Sequence, residues 1–306
     1  MRVSSAGFSS PIKSFFNLYS QSVLKPLLYA QNMRHNSWVM IQDLLASLLV
    51  LLYLLLFALL VYRLVSAGRG LSKHTLLSMA LIALLIHGYL LHVRLFVPAN
   101  MDLSIFTVFS VITWVITAML VVFAWREPLE NLLIGVLPFA IVAVFLRLIS
   151  RQHYVLTEPL SSGLEIHILV SIIAYSLLSI AALQAILLYI QDTYLHNQHP
   201  AGFVRALPPL ETMERLLFRM IATGFIVLSF SVVSGFIYLE DVFAQHLAHK
   251  VILSVGAWIM YAILLWGRWR FGWRGRIAIR WTLTGFVLLL LAYFGSKFVI
   301  EVILQR

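Results

Sequence analysis

Residues 167–190 read HILVSIIAYSLLSIAALQAILLYI, a run without one Asp, Glu, Lys or Arg. As a helix it rises about 36 Å at 1.5 Å per residue, enough to cross the ~30 Å hydrocarbon layer of a bilayer. Yet the run opens on an ionisable residue, His167. Placing Arg, Lys or Asp at mid-membrane costs roughly 2.5–3.5 kcal/mol on insertion scales. Neutral imidazole costs less, but its N–H and its lone pair both need partners. The combination recurs at 81–93, LIALLIHGYLLHV, with His87 inside the run. A metal ion, above all the iron of a buried haem, is the partner that most directly accounts for two such histidines.

The rest of the chain fits the same solvent. Hydrophobic residues make up 61% and charged residues 11%, where a soluble chain of this size carries about a quarter charged. Mean hydropathy is +0.94. Apolar blocks predict spans over Leu44–Tyr62, Thr75–Val93, Leu103–Ala124, Leu132–Ile149, Ile166–Ile190, Ile221–Leu239, Leu247–Trp266 and Trp281–Val299. The runs are continuous rather than alternating, which rules out a membrane barrel. The expected fold is therefore an all-α integral membrane protein, a bundle of about eight transmembrane helices, with residues 39–306 as one polytopic domain. Pro138 removes a backbone donor within the fourth span. After Pro208–Pro209, the Glu211–Arg215 pair predicts a short surface helix ahead of span six.

Cysteine is absent, so disulfides, thiolate metal sites and iron–sulfur clusters are excluded. There is no HExxH, no GxSxG, no phosphate-binding glycine pattern and no acidic pair within a span. An enzyme is not expected. The formal charge of +10 sits in loops, so it reads as membrane topology rather than nucleic-acid binding. Its densest part is GRWRFGWRGRIAIR at 267–280, with Arg268, Arg270, Arg274, Arg276 and Arg280. That loop should be cytoplasmic. Arg63, Arg69, Lys73, Arg205, Arg215 and Arg219 then fall on the same side and both termini outside. The first 38 residues conflict with this, because Arg2, Lys13, Lys25 and Arg34 would lie outside. They read as a tail, or as a start placed ahead of Met33 or Met40.

Under this topology His87, His167, His246 and His249 gather toward the outer face. His92 lies about 140° round the helix from His87 and belongs to another face, whereas Arg94 returns nearly to the face of His87. A cation seven residues from an iron ligand suits a haem propionate, and Lys250, Arg147 and Arg151 add positive charge on that side. The plainer alternatives are interfacial histidines, a helix–helix hydrogen bond and arginines that snorkel to headgroups. Trp258, Tyr261 and Trp266 along span seven could flank a planar macrocycle.

From about residue 164 onward the chain resembles the cytochrome c assembly (CcsA-like) membrane proteins, most nearly their small YpjD/HemX-type branch. The resemblance rests on His167 with Tyr175, on LETMERLLFRMIATGFIVLSFSVVSGFIY, on Lys250 with Trp258 and Tyr261, and on GWRGR followed by a span ending in YFG. In the first half it rests on HGYLLHVRL; together it covers roughly residues 44–304. The likeness implies a haem-handling protein of the bacterial inner membrane, supporting cytochrome c maturation, with histidines at His87 and His167 that coordinate iron. Two departures limit it. The tryptophan-rich outer segment of larger members is LEDVFAQHLAHK here, without Trp, and Trp266 stands where they place a further histidine. The combined expectation is haem bound between His87 and His167, propionates met by Arg94, Lys250 and His249, and partners comprising lipid, haem and cytochrome c maturation components. A secondary transporter or accessory subunit for an ion or small metabolite is the competing reading, and a scaffold whose histidines only pack is a third.

Overall fold

The computed structural model describes residues 25–66, 70–96, 104–149, 161–196, 204, 207–238 and 245–295. Among these residues the chain is helical, with no strand. The helices are α1 (Lys25–Val65), α2 (Lys73–Phe96), α3 (Ile105–Ala124), α4 (Leu132–Ile149), α5 (Ser162–His196), α6 (Leu210–Tyr238), α7 (Gln245–Phe271) and α8 (Gly275–Leu290), which runs on into a π turn at Leu291–Gly295. Eight helices are long and apolar enough to cross a membrane, as the hydrophobic blocks predict.

Lipid explains why such sequences stay helical. α3 is rich in Val, Ile and Thr, residues that are mediocre helix formers in water. Hydrocarbon offers the backbone no other hydrogen-bond partner, so the helix holds. α4 likewise continues through Pro138. Two boundaries differ from expectation. No separate surface helix follows Pro208–Pro209: α6 is one rod of 29 residues, because nothing between Arg215 and Ile221 breaks a helix once it is nucleated. The last helix starts at Gly275 rather than near Trp281, since Arg276 and Arg280 sit on its polar first turns. Between α7 and α8, Gly272 adopts φ +66°, a conformation glycine tolerates best. It turns its own amide to Arg268 O and that of Trp273 to Gly267 O, at 3.1 and 3.3 Å, which closes the end of α7.

The packed pairs form two four-helix groups. In the first, α1 packs on α2, α2 on α3, α3 on α4 and α4 on α1; in the second, α5 through α8 close in the same cyclic order. α5 also packs on α3 and α4, so it belongs to both. Close approach relies on small residues, as expected where helices gain little from leaving lipid. A Cβ on Gly224 would lie 2.7 Å from Leu178 Cδ2, and one on Gly285 3.0 Å from the Tyr261 ring. Buried amides pin α5 to the start of α6: Gln184 Nε2 donates to Met213 O at 3.0 Å and Gln191 Nε2 to Pro208 O at 2.9 Å. The outer surface is itself apolar, with Leu85 67% and Ile252 68% exposed. Such a surface belongs in lipid.

Ion pairs gather at the end that carries the α7–α8 turn, called here the basic end. Glu214 meets Arg268 at 2.8 Å and Arg274 at 3.4 Å, Asp192 meets Arg276 at 3.1 Å, and Lys73 meets Glu130 at 3.4 Å. Arg219 to Glu127 at 2.7 Å joins the two groups. Beneath that pair a cavity of about 130 Å³ lies between the groups, lined by Phe123, Leu177, Leu216 and Met220.

Candidate functional site

His87 sits in the first group, on α2, and is 1% exposed. Its Nδ1 lies 3.1 Å from the Tyr53 hydroxyl of α1 and its Nε2 2.9 Å from the Ser110 hydroxyl of α3. Tyr53 meets the imidazole edge-on, with ring centroids 5.9 Å apart. Both ring nitrogens are thus engaged, which satisfies the two demands a neutral imidazole makes in hydrocarbon. Ser110 belongs to a polar file on α3: Ser104, Thr107, Ser110, Thr113 and Thr117 are all buried. Arg147, near the end of α4, turns inward rather than out to headgroups and donates to the Thr107 hydroxyl. Beside these groups is a cavity of about 30 Å³, lined by Gln42, His87, Ser110 and Arg147 together with Ala46, Leu90 and other apolar side chains.

His167 sits in the second group, near the start of α5, and is half-buried. Its Nδ1 lies 3.0 Å from the Ser234 hydroxyl of α6. One turn further along, the Ser171 and Ser231 hydroxyls meet at 2.8 Å, and Trp258 of α7 donates to Ser229 at 2.8 Å. A Cβ on Gly235 would lie 3.0 Å from His167 Cε1, so this glycine lets the imidazole rest against the α6 backbone. Nε2 has no hydrogen bond among the described residues. That lone pair is the one histidine nitrogen of the two sites not already engaged.

The two histidines therefore have separate neighbours, and no described residue bonds both. Lys250 is half-buried at the start of the seventh span. The side chains of Arg94 and His249 lie outside the described residues, as do Arg151 and residues 1–24. Trp258, Tyr261 and Trp266 do not form one wall. Trp258 stacks on Phe225 at 5.5 Å, Tyr261 is buried with its hydroxyl on Thr282 O at 3.3 Å, and Trp266 points outward, 56% exposed. Sequence reading passed over Tyr53, Ser110 and Ser234, which bond the two histidines, and Gln42, which lines the cavity beside His87. Among these only Ser110 carried a signal, as part of the third-position spacing of hydroxyls on α3.

Neither cavity admits a porphyrin, since pockets for drug-sized ligands run to roughly 300–1,000 Å³. The donor chemistry at His167 does fit haem iron: a neutral imidazole, unencumbered at one nitrogen, on an apolar flank. Residues 45–304 match the family described as Cytochrome C assembly protein. The inner membrane protein YpjD of Escherichia coli (strain K12) is 32% identical over 260 residues, covering 84% of this chain and 98% of its own. Protein HemX of Brevibacillus brevis is 23% identical over 198 residues, 63% of this chain and 73% of its own. The cytochrome c biogenesis protein CcsA of Prochlorococcus marinus (strain MIT 9301) is 25% identical over 213 residues, 57% and 69% of the two chains. No solved structure matches. Because the match runs from the first span to the last, the chain belongs to the cytochrome c assembly protein family.

Proposed function

We propose that this protein binds and passes on haem within the bacterial inner membrane in support of cytochrome c assembly, without turnover chemistry of its own. The observation that carries the reading is His167, whose Nε2 has no hydrogen bond among the described residues. Within about a turn of it, Ile166, Leu169, Phe230 and Val233 expose apolar surface on α5 and α6. Haem brought to this histidine is reached from the lipid side, not from a closed cavity. His87 is the second candidate ligand, and it must release Tyr53 or Ser110 before it can bind iron. Lys250, Arg94 and His249 are the groups proposed to meet the propionates. With the basic α7–α8 turn in the cytoplasm, both chain ends fall on the periplasmic side.

Family membership and the relation to a cytochrome c biogenesis protein support this reading. The transporter alternative gains nothing from the two helix groups, because a shared cyclic order is common to up-down bundles and Pro138 has no counterpart in the second group. Protein purified in detergent from haem-replete cells should show a Soret band that sharpens on reduction. His167→Ala should abolish it. Equal loss in His87→Ala supports ligation by both histidines, and a retained band supports His167 alone. A colourless protein from such cells overturns the proposal.

A further inference from the structure

The His87 network has a direction. If Nδ1 carried the proton, it would donate to the Tyr53 oxygen, and Ser110 would donate to Nε2. The Tyr53 O–H would then be left without an acceptor among the described residues, on a side chain that is wholly buried and does not line the cavity. With the proton on Nε2, Tyr53 donates to Nδ1 and Nε2–H donates to Ser110. The donor left over is then the Ser110 O–H, which does line the cavity. Leaving a buried donor unmet costs about 1–3 kcal/mol, so the second arrangement prevails. Beside the Gln42 amide, which can both donate and accept, and the Arg147 guanidinium, the cavity's polar lining thus presents the Ser110 O–H. That hydroxyl calls for an acceptor. At about 30 Å³ the cavity has room for about two or three waters, given the ~10–15 Å³ that one requires.

The lining also sets from which side water arrives. Gln42 lies near the start of the first span and Arg147 two residues from the end of α4, and both are half-buried. Both positions are at the end opposite the basic turn. Toward the basic end the path is shut. The Thr113 and Thr117 hydroxyls donate to the carbonyls of Ser110 and Thr113 in their own helix, and Leu56, Leu60, Leu77, Ile116 and Leu120 fill the space beyond. We infer that α1, α2, α3 and α4 enclose a one-sided water inlet, which enters beside Gln42 and Arg147 and ends on Ser110 and His87. The ligand of this site is water. The inlet lets hydroxyl protons of the histidine network exchange with one compartment only. The groups facing His87 are Tyr53 and Gln42 from α1, Ser110 from α3 and Arg147 from α4.

The native chain has no cysteine, so single thiols can be read without background. Ser110→Cys, Gln42→Cys and Thr117→Cys, with Arg270→Cys as a marker of the basic end, are placed in sealed vesicles of known sidedness. Ag⁺, which is close to water in size, is added from either side, and protected thiols are counted after denaturation. Gln42→Cys and Ser110→Cys should be protected only from the side opposite Arg270→Cys, and Thr117→Cys from neither. Protection of Ser110→Cys from both sides, or none beyond that of Thr117→Cys, overturns the inference. If a variant does not fold, X-ray footprinting of the unaltered protein decides. Radicals formed from inlet water should oxidise His87 and Leu90 in preference to Leu120, and equal oxidation overturns the inference.

Discussion

Glu214 carries two arginines on one carboxylate that is only 12% exposed, whereas Asp192, 31% exposed, meets one arginine, Arg276, that is largely in solvent. The contrast fixes what each contributes. Glu214→Ala removes the acceptor of a partly buried guanidinium and should lower stability in detergent by about 1–3 kcal/mol. Asp192→Ala should change it by ~0–1 kcal/mol. Thermal unfolding of the two variants side by side checks this; equal losses would contradict it. The same scale shows what the sequence discloses about a polar site. His87 and His167 announce themselves because an imidazole in an apolar run must have partners. Tyr53 and Ser234 do not, since a lone hydroxyl is tolerated on almost any helix face. Arg147 reads as a snorkelling cation because its inward turn depends on Thr107, forty positions away.

At the scale of the helix, α7 holds a paired test of glycine. A Cβ on Gly256 would meet only Leu288 Cδ1, at 3.8 Å, an ordinary contact. Gly256→Ala should therefore gain most of the ~1 kcal/mol by which alanine outranks glycine in a helix. On Gly267 a Cβ would collide with the Trp273 ring, which Trp281 holds in place at 5.5 Å. Gly267→Ala should lower stability by about 1–3 kcal/mol through overpacking. Melting temperatures moving in opposite directions are the expected result. Sequence reading found all eight spans of the described residues, because a block of apolar residues is a strong signal. It misjudged where α6 and α8 begin, because an extramembrane turn that merely continues a helix carries no apolar signal. It also treated the polar start of α6 as a separate element, although charge on a helix does not end it.

For the whole molecule, which helix packs on which was not readable. In lipid the faces turned to neighbours and those turned to acyl chains are both apolar, so periodicity does not distinguish them. That is why the two histidines could be expected to converge, while the structure gives each its own set of neighbours. The helices also differ greatly in length. α5, with 35 residues, extends about 52 Å. α4, with 18 residues, reaches only about 27 Å, short of the ~30 Å hydrocarbon layer. Arg147 stands near the end of this short rod. Where a rod is too short, the surrounding lipid thins or the flanking cation is drawn inward. Membrane thickness thus bears on the entrance inferred beside Arg147. In vesicles of progressively longer acyl chains, silver protection of Ser110→Cys should slow while that of Arg270→Cys holds steady. The lipid composition of the host membrane becomes a setting on how wet His87 is.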